Sequence, residues 1–407
     1  MILSKKIEYT GKCWPSKKQQ LLLDASLFSG EKPLNSWRKW TGSIDLNEID
    51  PGSYRLLPLA VHNLVREGVN DPFIRKFKGL KKKTWLKNQI LLKTLKDVLT
   101  LFHNHGIKTM VLKGAALIPL YFKDLSIRPQ NDVDILVYPE SALTAVKILN
   151  DSGWRIKGKF KRKITKETLN VRNSLNFENG TVSSVDLHWH ALAECIDPGA
   201  DRDFWKHAQS LEIDGIKTHV MSHEDQLYLT CVHALRHQPQ WEPLSSVNWI
   251  ADCMYILRES VHKIDFNRMR DQARSHSLIL PLRISMNYLR QQYAAAIPLG
   301  FIRRLRDTAI TRIEYNEFMI RQKSSLITGP FLLRCCTYLR SIRKEKSLSF
   351  FNKIWRFTEF HKAHAGVPSA GLLPVLLFCR GIKRIKTQLE KKIRNIPGSQ
   401  RLGDLSR

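Results

Sequence analysis

Cysteine pairs at metal or disulfide spacing are missing from this 407-residue chain. Its seven cysteines are an odd number, none stands in a C-x-x-C pair, and Cys335-Cys336 are adjacent. That pattern excludes a zinc ribbon and a disulfide framework, and the expected compartment is the reducing cytosol. Long apolar runs are missing too. The longest near a terminus, Gly371 to Cys379, is far below the roughly 20 residues that span a bilayer. Met1-Ile2-Leu3 meets Lys5-Lys6 at once, so no secretory leader is expected and the protein is expected to be cytoplasmic. There is no internal repeat and no low-complexity segment, which excludes solenoid architectures.

Acidic residues are the scarcest class relative to their counterpart: 37 Asp and Glu face 66 Lys and Arg, a net charge of +29. The imbalance is concentrated from Arg268 onward, where 28 basic residues stand against 8 acidic ones. Such a field attracts polyanions, and nucleic acid, an anionic membrane surface or a phosphorylated acceptor would each satisfy it. A solubilising basic surface is the alternative. In a chain so poor in acids, the few that cluster carry information. Asp132 and Asp134 stand at i and i+2 within Arg128-Pro129-Gln130-Asn131-Asp132-Val133-Asp134-Ile135-Leu136-Val137. In a strand both carboxylates point one way while Val133 and Ile135 enter the core, which suits hard oxygen ligation of Mg²⁺. A half-buried strand with two solvent-facing acids gives the same alternation.

Two neighbouring segments extend the pattern. Lys108 to Leu112 reads as a short strand that runs into Lys113-Gly114 and an apolar helical stretch from Ala115 to Tyr121. A glycine between strand and helix lets phosphate approach backbone N–H groups, with Lys113 as a nearby point charge. Downstream, Val185-Asp186-Leu187 repeats the hydrophobic-acid-hydrophobic order in a second strand and offers a third carboxylate.

This ordered set, Leu112-Lys113-Gly114-Ala115-Ala116-Leu117, then Arg128 to Val137, then Asp186-Leu187-His188-Trp189-His190, resembles the minimal nucleotidyltransferases of the DNA polymerase beta superfamily. Within it, the wording resembles a bacterial family of uncharacterised nucleotidyltransferases, over roughly residues 15 to 265. The resemblance implies an α+β fold: a small mixed β-sheet nucleotidyltransferase core packed by helices, followed by a large helical C-terminal region. It implies transfer of NMP from an NTP, ATP among the candidates, to an acceptor hydroxyl with release of pyrophosphate by a two-metal mechanism. Asp132, Asp134 and Asp186 would be the catalytic carboxylates and the ligands of Mg²⁺, two ions in all. Lys113, Gly114 and Ala115 would form the phosphate turn, Arg128 would face pyrophosphate charge, and His188 would shape the nucleotide pocket. Two departures from the superfamily pattern stand out. Ala115 replaces the usual small polar or glycine residue after Gly114, and the longer gap between Gly114 and Asp132 leaves room for a loop, Tyr121 to Arg128, over the site.

Along the chain the expected units are an N-terminal helical region (1–105), the nucleotidyltransferase α/β core (106–200), a helical extension (201–265) and a basic helical C-terminal domain (266–407). In the first unit, a helix over Lys17 to Phe28 is expected to give way to a loop through Pro33. A long helix, Phe77 to His105, would pack Trp85, Ile90, Leu91, Leu95, Val98, Leu99 and Phe102 on the sheet. An Asn179-Gly180 turn closes the hairpin that delivers Asp186. His188 and His190 would share a face with Asp186, and Trp189 would either stack on a base or lie in the core. His233 and His237, at i and i+4, are a metal pair or structural histidines, and Asp252 would cap or orient. Arg303-Arg304, Arg306, Arg340, Arg343-Lys344 and Lys346 would line basic faces. The last apolar stretch, Leu372 to Cys379, with the basic residues after it, is either a core helix with a basic tail or a helix lying on anionic lipid. Partners in this reading are an NTP and a hydroxyl-bearing or polyanionic acceptor, possible nucleic acid included, with peripheral contact to an anionic membrane. Two further readings remain: a non-catalytic nucleic-acid or partner-binding protein that keeps the fold, and a membrane-surface enzyme acting on a lipid-linked or polysaccharide acceptor.

Overall fold

A computed structural model describes residues 11, 13–158, 164–180, 183–236, 247–323, 328–343, 345, 347, 349–367, 369 and 371. Four helices come first: α1 (Lys17–Leu27), α2 (Glu31–Thr41), α3 (Pro51–Arg66) and α4 (Pro72–Asn104). Each start is written in the sequence. Ser16 and Gln19 form a capping box at α1, and Asp50 and Asp71 cap α3 and α4 ahead of a proline at the first helical position. The loop expected through Pro33 is instead α2, because a proline in the first turn of a helix gives up a hydrogen bond that has no partner there anyway.

Seven strands form one mixed sheet in the order β3-β4-β5-β2-β1-β7-β6. They are β1 (Thr109–Leu112), β2 (Val133–Val137), β3 (Arg155–Ile156), β4 (Ser174–Glu178), β5 (Ser184–His188), β6 (Gln209–Ile213) and β7 (Ile216–Val220). Short helices interrupt them: α5 (Lys113–Leu117), α6 (Ala142–Asp151), α7 (Lys166–Leu169) and α8 (Arg202–Lys206). β2 runs antiparallel to β1 and parallel to β5, and its register sets Asp134 opposite Asp186. The chain after Gly199, expected to become helical, instead adds the hairpin β6–β7, whose second strand pairs in parallel with β1. Its strands are short and its outward residues polar, so period-2 alternation is weak there.

The two faces of the sheet have different covers. Val133, Ile135, Val137, Val185 and Leu187 pack with Leu91, Leu95, Val98, Leu99 and Phe102 of α4 and with α6. Trp85 and Ile90, expected on that face, are turned outward at 46% and 38% exposure. Met110, Leu112 and Leu136 point to the other side, into a second core shared with α1–α3 and with the helices that follow: α9 (His223–Arg236), α10 (Asn248–Ser260), α11 (Phe266–His276), α12 (Ile279–Tyr293) and α13 (Leu299–Asp307). The last described helices are α14 (Arg312–Lys323), α15 (Gly329–Ser341) and α16 (Phe350–Ala365). Arg340, expected on a basic face, is buried and paired with Glu317, whereas Arg303, Arg304 and Arg306 are exposed as expected. The apolar and basic stretch from Leu372 onward lies outside the described residues, as does His237. Among the described residues no helix is long and apolar enough to cross a membrane.

Candidate active site

The parallel pairing of β2 with β5 builds the site. Residues facing one another on neighbouring strands share a face, so Asp134 and Asp186 lie side by side with His188 two residues further along β5. His188 Nε2 lies 3.0 Å from Asp134 Oδ1 and 2.9 Å from Asp186 Oδ2. Burial works against its charge, but Asp186 wins and pushes the ring up to about 9, so it is protonated at neutral pH and donates. The Lys113 ammonium pairs with Asp134 and lies 4.0 Å from Asp186 Oδ2. It gets there because the chain turns at Lys113 with φ +48° directly into α5. A lysine in the left-handed region costs about 1–3 kcal/mol, a strain held in place by the ion pairs the turn allows.

Charge on the carboxylates follows from these neighbours. Burial raises Asp134 and Asp186, but Lys113 and His188 outweigh it and hold both below the usual carboxylate range. Asp132 stands just ahead of β2 and forms no ion pair among the described residues. Burial and the charge of Asp134 push it up to about 6.

These groups open into a cavity of about 340 Å³ lined by Lys113, Gly114, Arg128, Asp132, Asp134 and Asp186, with Arg55, Gln130, Asn248 and Asp252 also in its wall. Arg128 is held by Asp252 through two bonds of 2.7 and 2.8 Å, a bidentate pair that leaves Nη1 free for the cavity side. Gly114 is needed for this arrangement: a Cβ there would lie 2.5 Å from Arg128 Nη1 and 2.6 Å from Gln130 Oε1. The glycine thus makes room for side chains of the Arg128–Gln130 segment.

Of the expected site residues, Lys113, Gly114, Arg128, Asp132, Asp134 and Asp186 therefore meet at one cavity. Ala115 and His188 do not line it. The Ala115 side chain packs in the sheet core, and His188 lies beneath the carboxylates. His190 leaves the site altogether and bonds Asp201 at 2.6 Å, while Trp189 is a core residue that donates to Leu169 O. The segment Tyr121 to Arg128 is no free loop: Tyr121, Phe122 and Ile127 are buried, and Asn88 of α4 bonds the carbonyls of Leu125 and Arg128. Asp252 orients, as expected. Sequence reasoning missed Arg55 and Asn248, which carry no motif and converge only through the packing of α3 and α10, and it gave no role to Gln130 within the Arg128 to Val137 stretch.

A metal ion suits this donor set. Asp134 and Asp186, with His188 once it gives up its proton, can bring one ligand atom each within 4.8 Å of one another. Asp186 Oδ1 is buried with no hydrogen-bond partner, and such an orphaned oxygen in a carboxylate cluster is a ready ligand for a hard cation. Asp132 lies outside that three-residue group, at the cavity edge.

A mixed sheet that sets acids in register beside a lysine-glycine turn is the core of a nucleotidyltransferase fold. The model of a family described as uncharacterised nucleotidyltransferase matches residues 53–294, more than half of the chain, and the chain belongs to that family. No curated protein matches the sequence. Among solved structures it is similar to the antibiotic-resistance factor ANT(2'')-Ia, at 13% identity and a TM-score of 0.33 over 48% of this chain and 98% of that one. It is also similar to an antigenic nucleotidyltransferase-like protein from Paracoccidioides brasiliensis, at 16% identity and a TM-score of 0.34 over 52% and 96%. Both likenesses are too loose to bear on what this chain acts upon.

Proposed function

We propose that the protein transfers NMP from an NTP to an acceptor hydroxyl and releases pyrophosphate, with Asp132, Asp134 and Asp186 as ligands of two Mg²⁺ ions. The observation that carries this reading is the register of Asp134 with Asp186 on neighbouring parallel strands, next to an unpaired Asp132 and an unpartnered Asp186 oxygen. Family membership supports the transferase class. Bound Mg²⁺ would neutralise triphosphate charge and lower the pKa of the acceptor hydroxyl.

The chain's own residues then do the positioning. Asp134 and Asp186 are kept ionised by Lys113 and His188, which fits them as ligands rather than as proton acceptors. Lys113 and Gly114 meet the phosphates from the β1–α5 turn. Arg128, fixed by Asp252, offers Nη1 to the charge that develops on departing pyrophosphate. In the transfer the acceptor oxygen bonds the α-phosphorus, the bond to the β-phosphoryl oxygen breaks, and the hydroxyl proton passes to solvent. A non-catalytic role gains nothing from Ala115, since a serine there would turn its hydroxyl into the same core.

The test is transfer of label from each of the four α-labelled NTPs, with Mg²⁺, into components of a host cell extract by wild type and by Asp134→Asn. Label that moves with wild type alone supports the reading and names the nucleotide. A variant as active as wild type sinks it.

One observation favours acceptors at a membrane surface. The first turns of α16 expose Phe350, Phe351, Ile354 and Trp355 at 71%, 81%, 49% and 65%, beside Lys353 and Arg356. Aromatic and basic residues on one exposed turn suit an anionic lipid interface. Vesicles of phosphatidylglycerol and phosphatidylcholine should co-sediment wild type and release a Phe350→Ser, Phe351→Ser variant; equal sedimentation of the two would remove this reading.

A further inference from the structure

Among the described residues, one arginine in the cavity wall has no carboxylate in ion-pair contact. Three basic side chains reach the cavity: Arg55, Lys113 and Arg128. Lys113 is matched by Asp134, and Arg128 by Asp252. Arg55 has no such match. Among the described residues it forms no ion pair, and its one hydrogen bond is a long one, Nη2 to the Pro129 carbonyl at 3.4 Å. It is nonetheless partly buried, and burial and the neighbouring Arg128 charge lower its pKa by more than Asp252 and Asp132 raise it.

Burying a guanidinium with no carboxylate in contact is costly, and a second guanidinium nearby adds repulsion that Asp252 and Asp132, acting from a greater distance, only partly offset. Arg55 sits in the second turn of a capped helix whose buried face is Leu56, Leu57, Ala60, Val61 and Leu64, and its half-buried side chain lies in the cavity wall. An anion placed between Arg55 and Arg128 removes both penalties, because guanidinium forks match phosphate oxygens in pairs.

The location says which part of a ligand that anion is. A small recess beside the cavity is lined by Arg55, Arg128, Asn248 and Asp252 but by none of Asp132, Asp134 and Asp186. The two guanidiniums therefore also meet at a stretch of wall that Asp252 shares and the three site carboxylates do not. A triphosphate that enters with its α-phosphate toward the carboxylates would carry its far phosphates toward Arg55.

We propose that Arg55, on helix α3, binds the terminal phosphates of the nucleotide together with Nη1 of Arg128, so that the N-terminal helical region forms part of the substrate site. Its placement on the nucleotide rests on the transferase reading given above; the affinity for an oligophosphate does not.

The experiment is titration calorimetry of the full chain with inorganic tripolyphosphate, an NTP and the matching NMP, each with Mg²⁺, for wild type, Arg55→Gln and Arg55→Lys. Arg55→Gln should weaken tripolyphosphate and NTP by about tenfold or more while NMP changes by less than about twofold. Arg55→Lys, which keeps the charge and loses the fork, should fall between. If Arg55→Gln does not fold, Arg55→Lys decides alone, with tripolyphosphate weakened about threefold and NMP unchanged. Absence of tripolyphosphate binding in wild type, equal binding in the variants, or equal weakening of NMP each overturn the proposal. Tripolyphosphate binding that depends on Arg55, in a protein that moves no label from any NTP, would leave this site standing and remove the transferase reading.

Discussion

Two buried charge clusters in this protein are built to opposite designs. On one face of the sheet, three carboxylates, Asp132, Asp134 and Asp186, face two cations, Lys113 and His188, and open into a cavity. About the loop after β5, two carboxylates, Glu194 and Glu317, face three guanidiniums, Arg236, Arg321 and Arg340. Arg236 grips Glu194 through bonds of 3.1 and 2.9 Å, and Arg321 bridges Glu194 at 3.1 Å to Glu317 at 2.7 Å. Arg340 closes the set on Glu317 at 2.5 Å and on the Glu194 carbonyl at 3.3 Å. Every carboxylate oxygen there is occupied from within the chain, and the cluster ties α9, α14 and α15 to the sheet. The acid-rich cluster leaves Asp132 unpaired and one Asp186 oxygen unbonded. Buried carboxylates whose oxygens are all bonded from within the chain belong to the fold; carboxylates with an open oxygen, facing a cavity, mark where a ligand completes the structure.

The comparison breaks most sharply at Asp132. Asp132→Asn removes an acid from the cluster that has acids in excess, so transfer should fall by about 10³-fold while the melting temperature stays level or rises. Steady-state label transfer and a thermal melt on one preparation check both halves. A large loss of stability would place Asp132 among the structural acids instead.

Glu317→Gln should do the reverse. It leaves Arg321 and Arg340 facing a single carboxylate and should cost about 3 kcal/mol in urea denaturation. Transfer per folded molecule should stay at the wild-type level.

Acid should find the same cluster. Burial would raise Glu194, but Arg236 and Arg321 overcome it and hold the carboxyl down at about 2. A depressed carboxylate stabilises the fold above its unfolded value near 4.5, and that contribution drains away as pH falls from there toward 2. Denaturation midpoints across this window should fall more steeply in wild type than in Glu194→Gln. Parallel slopes would show that Glu194 is not the group responsible.

The smallest effect is expected at Gly114. In Gly114→Ala the added methyl meets the movable ends of Arg128 and Gln130 rather than backbone. Those side chains give way, so stability should hold while transfer drops by about tenfold through misplacement of Arg128. An unchanged rate would mean that Arg128 has no part in the chemistry.

Much of the acid-rich cluster was legible in the sequence. Alternation around Asp132 and Asp134 and its echo at Asp186 gave strands with acids on one face, because side-chain direction in a strand depends only on position parity. The hairpin expected about Asn179-Gly180 agrees with the antiparallel pairing of β4 and β5, the strand that carries Asp186. Less of the other cluster could be read. Arg340 looks like one more residue of a basic face, since helical spacing does not say which neighbour a polar side chain meets. The hairpin β6–β7 was hidden by its polar outer residues, and α2 by a proline that its first turn tolerates.

What the sequence determined by itself is local: the helix starts at Ser16, Asp50 and Asp71, the strand that carries Asp134 with Asp132 just ahead of it, and the excess of positive charge. Those follow from capping chemistry, backbone geometry and composition, each a property of a few adjacent residues or of a simple count. Only the tertiary structure decided that His188 lies under the carboxylates, that Asp252 takes Arg128, and that Arg55 reaches the same cavity from α3. These depend on strand order and on which helix packs on which face, and contacts across such distances in the chain are chosen by the burial of the whole core rather than by any segment of it.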